Sequence, residues 1–176
     1  MLEMENWSKE RVHQVMLELL YSFNYGWFLM EEWIKEHCPE KMESGDFQAV
    51  AEAFGSYQAK RLEKTVDTGA SGVDRLIAFL RHSHWSAFEE IELAKLSETE
   101  LRMRTLNCTA QRAAAKWGMG HYECGEAGLR LRRGFIRQIE PEAQVSRVFT
   151  PPQARPEQTP QEASCEWLIS LPWAPV

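Results

Sequence analysis

Residues 90–105 read EIELAKLSETELRMRT, and the alternation in this stretch decides the fold class. Apolar and charged side chains alternate on both sides of the polar segment 97–99, a pattern typical of two strands joined by a turn. In an antiparallel pair, the glutamates of the first strand would face Arg102 and Arg104 of the second, and opposite charges in such positions stabilise a register. The stretch therefore predicts a β-hairpin.

The chain after this hairpin mixes helices with strands. Helical patterns predict a short helix over 110–116 and a longer one over 125–139. Strand patterns follow at Val145–Phe149 and around Trp167–Ile169. Residues 150–163 hold four prolines without apolar periodicity, and we expect a solvated loop there.

The start of the chain is helical in pattern. Ser8 is expected to cap a first helix, whose apolar residues recur at spacings of three and four from Val12 to Phe23. Gly26 interrupts this stripe before it resumes over 27–34. The pattern fits either two helices or one long bent helix.

Two further helices are predicted before the hairpin, and Ser71 with Asp74 resembles a capping box for the second of them. The order of elements indicates an α+β fold, in which an N-terminal helical half packs on a small C-terminal antiparallel sheet with interspersed helices. We expect a single domain over 1–176, with the helical half at 1–84 and the mixed half at 85–176.

Length and composition suit a globular protein. The chain has 176 residues, of which 44% are apolar and 26% charged, enough for one sizeable core. It has no long apolar run and no signal segment at its start, so we expect a cytoplasmic location and no membrane partner. The net charge of −6 argues against a nucleic-acid partner, because phosphate binding requires lysine and arginine.

Three of the four cysteines lie in the mixed half and suggest a site. Cys108, Cys124 and Cys165, together with His121, could supply the Cys₃His ligands of a structural zinc site. Zinc modules usually place paired ligands about two to four residues apart. Here fifteen residues separate the first two cysteines and forty separate the next two. We expect no cofactor, with zinc at these four residues as the alternative.

Cys124 is the candidate nucleophile. It directly precedes a predicted helix, whose positive end lowers a thiol pKa, and His121 is the candidate base. Arg130 and Arg133 share one face of that helix and could anchor a small carboxylate or phosphate. The alternative roles are core packing for the cysteine and a solvated helix face for the arginines.

Two further groups could line a ligand site. Trp27, Phe28 and Trp33 could form an apolar cavity between helices. Asn107 and Gln111 lie around the first of the three cysteines, and Asn107 is expected to cap the following helix or to lie just ahead of it. The chain has no glycine-rich phosphate loop, no Gly-x-Ser-x-Gly and no His-Glu-x-x-His, so the common cofactor and hydrolase motifs are missing.

Five short motifs are spread over most of the chain. They are Asn24-Tyr25-Gly26-Trp27-Phe28, Asn107-Cys108-Thr109-Ala110-Gln111, Tyr122-Glu123-Cys124, Ile139-Glu140-Pro141 and Cys165-Glu166-Trp167. Together they resemble a family of small uncharacterised proteins of anaerobic bacteria and archaea, labelled only as cytosolic proteins. Thr150 stands before Pro151-Pro152 where that family carries a cysteine. A family metal site of four cysteines would therefore lack one ligand here, and His121 would have to replace it.

The layout of helices leading into a cysteine-bearing sheet is also similar to two other groups. These are the 4-vinyl-reductase-type ligand-binding domains and the L-2-amino-thiazoline-4-carboxylic acid hydrolase family. The similarity implies an α+β fold with a ligand pocket between helices and sheet, although a fold does not define a function.

We therefore predict a cytosolic small-molecule-binding or sensory domain without catalysis of its own. Two alternatives stay open. One is a thiol-dependent hydrolase of a small carboxylate, and the other is a structural protein that forms a homodimer through the apolar stripes of residues 12–34.

Overall fold

The structure is a computed structural model, which describes residues 7–66 and 68–172, apart from the side chain of Phe88. Contacts divide the chain into two compact units, one up to Ser44 and one from Gly45 onward. Helices dominate the first part of the chain, and four antiparallel strands lie in the second unit. The predicted α+β class is confirmed.

The first unit consists of α1 (Lys9–His37) and α2 (Pro39–Glu43). The Ser8 cap is confirmed, because its Oγ accepts a hydrogen bond from the backbone N–H of Arg11 at 3.2 Å. α1 runs through Gly26 without a break, so the one-helix alternative is correct. Within the described ranges, no helix combines the length and the apolar character needed to cross a membrane.

The second unit contains the remaining elements, in the order α3 (Asp46–Leu62), α4 (Gly72–Arg81), α5 (His84–Phe88), β1 (Glu90–Lys95), β2 (Glu100–Asn107), α6 (Thr109–Lys116), α7 (Gly125–Ile139), β3 (Gln144–Phe149) and β4 (Cys165–Ser170). The predicted helices over 110–116 and 125–139 and the two later strands are confirmed. The predicted capping box at Ser71 is wrong, since its side chain makes no capping bond and Asp74 instead accepts from Lys95 Nζ at 2.9 Å.

The four strands are ordered β1-β2-β4-β3, and all neighbours are antiparallel. The predicted hairpin is confirmed as β1 and β2, with Glu92 opposite Arg104. β4 is the last strand in the chain but lies between β2 and β3, which places Thr105 opposite Cys165 and Met103 opposite Trp167. The insertion of β4 brings residues distant in the chain onto one face of the sheet.

That face forms the core of the second unit with the helices. Its strands contribute Leu101, Met103, Trp167 and Ile169, each at most 1% exposed, and the helices α4, α5 and α7 supply the other side of the same cluster. Period-2 alternation in the strands and i, i+3, i+4 spacing in the helices point these side chains at one another.

The opposite face carries charges that are paired. Arg104 Nε donates to Glu166 at 2.8 Å, and its Nη1 donates to Glu92 at 3.1 Å. Thr159, in the loop between β3 and β4, donates from Oγ1 to the same Glu166 carboxylate at 2.9 Å. The prediction of a loop over 150–163 is correct, but Thr159 and Ala163 are buried, so the loop is not wholly solvated.

Candidate functional site

Arg132 is a core residue of α7, with only 5% of its surface exposed. Its guanidinium carbon lies 4.9 Å from the ring centre of Trp85 on α5 and 4.3 Å from that of Trp167 on β4. Both distances are within the range of cation–π attraction. Three elements distant in sequence therefore meet around one positive charge.

The polar contacts of this guanidinium are few. Nη1 donates to the backbone oxygen of Gly128 at 3.2 Å and lies 4.0 Å from Cys124 Sγ. Nε is buried and has no hydrogen-bond partner. No carboxylate in the described part of the chain is paired with Arg132, whereas Arg75, Arg102, Arg104 and Arg130 all have one. Burying a charge without a counter-charge lowers the stability of the fold, so the Arg132 guanidinium is a candidate for binding an anion.

Both tryptophans are held in place by further contacts. Trp167 donates from Nε1 to Cys165 Sγ at 3.1 Å, and Trp85 packs edge-on against Phe135 with ring centres 5.4 Å apart. The end of α5 is tied to α6, because Glu89 Oε1 accepts from the Thr109 N–H at 3.1 Å and from its hydroxyl at 2.9 Å. Each ring is therefore held in place by at least one neighbouring side chain.

His84 lies next to Trp85, with ring centres 4.3 Å apart, and its Nδ1 is 2.7 Å from Gln58 Oε1. Burial, and then the positive charge of Arg132, lower the pKa of His84 to about 3. The imidazole is neutral at pH 7, so Arg132 is not joined by a second cation. We call Arg132, Trp85, Trp167, Cys124 and His84 the Arg132 group.

Cys124 directly precedes α7, as predicted, and is half-buried. Its sulfur occupies the space beside Gly128, where an added methyl group would overlap Sγ. Gly128 therefore has two roles. Its missing side chain leaves room for the Cys124 sulfur, and its carbonyl oxygen accepts a hydrogen bond from the Arg132 guanidinium. The predicted base, His121, is exposed.

Cys108 and Cys165 lie on the sheet side of the same region. Burial, and then the negative charge of Glu89, raise the pKa of the Cys108 thiol well above its ordinary value, and Cys165 and Cys124 add smaller contributions. The three predicted thiols are therefore close enough to interact. The described residues nevertheless contain no group of three or more His, Cys, Asp or Glu placed to hold a metal ion, so the geometry adds no support for zinc.

Gln111 and Asn107 have different positions. Gln111 clamps the loop before Cys124, since its Nε2 donates to Tyr122 O at 2.7 Å and its Oε1 accepts from Tyr122 N–H at 3.1 Å. Asn107 ends β2 and lies just ahead of α6, whose N-cap is Cys108. The Asn107–Gln111 and Tyr122–Cys124 motifs are therefore joined in space by a side chain–backbone clamp.

The other predicted ligand residues lie elsewhere. Arg130 is engaged by Glu126 at 2.9 Å and Glu52 at 3.0 Å, whose hydrogen bonds raise its pKa. Arg133 is half-buried. The aromatic residues predicted to line a cavity are on α1 in the first unit, where Phe28 is buried, Trp27 is half-buried and Trp33 is 56% exposed.

A cavity of about 740 Å³ lies at the other end of the sheet. Its lining includes Thr99 from the β1–β2 turn, Pro141 after α7 and Leu171 after β4, with Glu98 and Glu142 at its polar part. None of the residues predicted to bind a ligand lines it.

The burial of Arg132 could have been predicted from the sequence, although only Arg130 and Arg133 were predicted to be ligand-binding arginines. Leu129, Phe135, Ile136 and Ile139 mark the apolar stripe of α7, and Arg132 lies on that stripe at i+3 from Leu129 and i−3 from Phe135. An arginine inside an apolar stripe indicates a buried charge.

The fold and this site define an α+β protein with a buried arginine–tryptophan–thiol group. The chain belongs to a family of unknown function, DUF6125, whose model matches residues 24–171. That range contains the whole Arg132 group. No match was found among the curated proteins or among the solved structures.

Proposed function

We propose that this protein binds a small organic anion through Arg132 and acts as a small-molecule-binding or sensory domain. The observation that carries the proposal is the buried guanidinium, which lies between two tryptophans with an unpartnered Nε and no carboxylate paired with it in the described chain. A bound carboxylate or phosphate would supply both the missing acceptor and the missing negative charge.

The surroundings of Arg132 suit an anion with an apolar body. The indole rings of Trp85 and Trp167 make the surroundings of the guanidinium apolar, and the neutral imidazole of His84 adds no further positive charge. One guanidinium matches one carboxylate, and Cys124 and His84 are the half-buried members of the group. We therefore favour a monocarboxylate over a phosphate or a dicarboxylate.

The test compares Arg132→Met with Arg133→Met in a thermal-shift screen of acetate, benzoate, succinate and phosphate. At a concentration 100 times its Kd, a ligand stabilises the fold by about 2.7 kcal/mol, which raises Tm by about 5–10 °C for a chain of this size. We expect a carboxylate to do so in the wild type and in Arg133→Met, but not in Arg132→Met.

Arg133 is the matched control, because it is the next residue on α7 and its removal takes away the same charge. Circular dichroism would check that Arg132→Met is folded, and methionine has a similar apolar length. Loss of the shift in Arg133→Met with retention in Arg132→Met would transfer the site to the Arg130/Arg133 face. A wild-type chain that responds to no anion would contradict the proposal.

A specific observation favours a second function, a thiol-dependent hydrolase of a small carboxylate. Cys124 Sγ lies 4.0 Å from Arg132 Nη1 and at the N-terminal end of α7, a helix of 15 residues. A guanidinium and a helix N-terminus both favour a thiolate. In this alternative the Cys124 thiolate is itself the counter-charge of Arg132 and the nucleophile.

Alkylation by iodoacetamide, followed by mass spectrometry of each cysteine, separates the two functions. If Cys124 is the counter-charge, its alkylation rate should follow a pKa well below about 8.5, and Arg132→Met should move that pKa upward. Cys108 should stay unreactive up to higher pH, because its pKa is raised. If Cys124 instead titrates at the ordinary thiol pKa, the hydrolase hypothesis is contradicted and the anion-binding hypothesis stands.

Two predictions from the sequence remain part of this proposal. All four cysteines are thiols outside any disulfide in the described part of the chain, which fits a cytoplasmic location. The similarity of layout to the 4-vinyl-reductase-type domains and the thiazoline carboxylate hydrolases fits an anion held between helices and sheet, which is where the Arg132 group lies.

A further inference from the structure

Five of the eight large apolar side chains exposed on α1 recur at a period of about 3.5 residues. Alternate steps of four and three connect Val12, Met16, Leu19, Phe23, Gly26, Met30 and Trp33. Five of these are large side chains, and each is between 44% and 61% exposed. We call these seven residues the α1 seam. A repeat sustained over three heptads is typical of a helix that forms a coiled coil.

The α1 seam is not the face that α1 buries within its own chain. The buried residues of α1 are Phe28 and Glu31. Each precedes a seam residue by two positions, Met30 and Trp33, which is about 200° around a helix. The seam therefore points away from the buried side of the helix, and its large side chains are 44–61% exposed.

We propose that the α1 seam binds the seam of a second copy of this chain, in an antiparallel coiled coil. This makes specific the homodimer that the apolar stripe of residues 12–34 predicts. α1 has 29 residues and is about 43 Å long. The large exposed residues of the seam are Met16, Leu19, Phe23, Met30 and Trp33. At about 100 Å² each they offer roughly 500 Å² per chain, or about 1,000 Å² for the pair, which reaches the lower limit of a specific interface.

An antiparallel arrangement makes the seam complementary to itself. It places Phe23 against the partner's Gly26, Leu19 against the partner's Met30, and Met16 against the partner's Trp33. Large side chains then meet small or flexible ones in every layer. A parallel pair would instead set glycine against glycine and tryptophan against tryptophan, which leaves a void in one layer and crowding in another.

The charges of α1 favour the same direction. Its first turn carries Lys9 and Arg11 against one acid, whereas its last two turns carry Glu32 and Glu36 against Lys35, apart from the buried Glu31. Antiparallel helices bring the basic end of one copy toward the acidic end of the other, and parallel helices bring like ends together.

The test is a charge exchange within one layer, measured by sedimentation equilibrium of the full chain. Leu19→Lys and Met30→Glu should each weaken the dimer by at least about 100-fold, since each removes two buried apolar side chains per dimer. The double variant should recover most of that loss, because the lysine introduced in each copy would face the glutamate introduced in the other. In a parallel dimer these positions never meet, so the double variant would be worse than either single variant.

Val50→Lys is the control, because this valine of α3 lies in the other unit and is 53% exposed. It should leave the association unchanged, and circular dichroism should show equal helix content in all variants. If the wild-type chain is monomeric at about 100 μM, the seam does not bind a second copy of the chain and the proposal is overturned. A dimer that survives both single variants, or a double variant without recovery, would overturn it as well.

Discussion

Arg130 and Arg132 lie two positions apart on α7 and have opposite environments. Arg130 is paired with Glu126 and Glu52 at the surface, where such pairs contribute little to stability. Arg132 is turned by about 200° into the core, between Trp85 and Trp167. The same type of side chain therefore makes surface ion pairs in one case and forms part of a candidate ligand site in the other.

His84 makes stability depend on pH. Its pKa is about 3 in the folded protein and about 6.5 in an unfolded chain, so the unfolded chain binds more protons between these values. The contribution of neutral His84 is complete above pH 6.5 and is lost as the pH falls toward 3. We expect the free energy of unfolding to drop by about 1–2 kcal/mol from this residue between pH 7 and pH 5.

Urea denaturation at pH 7 and pH 5 would measure this drop in the wild type and in His84→Asn. The variant keeps a polar group near Gln58 and should lose the His84 part of the pH dependence. His82→Asn, which changes an exposed histidine two residues away, should keep it. Equal pH dependence in all three proteins would show that His84 is protonated as easily in the folded state as in the unfolded chain.

Helices α3 and α7 pack against each other with their backbones in close approach. A methyl group at Gly55 would overlap the Leu131 carbonyl oxygen, and one at Gly134 would overlap that of Glu52. On α3 the contact surface is continued by Ala51 and Ala59, both at most 1% exposed. Glycine is therefore needed at these two positions for space, since backbone cannot move aside as a flexible side chain can.

Gly134→Ala should lower the free energy of unfolding by about 3 kcal/mol, because the two helices must separate to admit the methyl group. Gly69→Ala is the matched control, since an added methyl group meets nothing within 4 Å there. That variant should be neutral or slightly more stable, through the lower entropy of its unfolded chain. Chemical denaturation of both variants would decide, and a loss below about 0.5 kcal/mol for Gly134→Ala would show that α3 and α7 adjust freely.

The order of strands in the sheet is a property of the whole molecule. β1 and β2 pair as neighbours in the chain, but β4 inserts between β2 and β3 across the loop of residues 150–163. This insertion places Cys165 opposite Thr105 and sets Trp167 against Arg132. The core cluster of described residues comes entirely from the second unit, and Trp85 and Trp167 of the Arg132 group belong to it.

Periodicity by itself was enough for most elements of the fold. The hairpin, α6, α7 and both later strands follow from local patterns. Each of these elements buries one face, and the buried side chains recur about every 3.6 residues in a helix and every two residues in a strand. The five-residue helices α2 and α5 were not predicted, since they are too short to show a period. The capping box at Ser71 failed because the Asp74 carboxylate pairs with Lys95 instead.

The amino-acid sequence by itself determined the class of fold, the positions of α6, α7 and the strands, and the region in which the cysteines gather. Only the tertiary structure decided which residues form the candidate site: it brought Trp85, Arg132 and Trp167 together and left His121 at the surface. The physical reason is that helical and strand periods depend on neighbours within a few residues, whereas the environment of a buried charge depends on which distant segments pack around it.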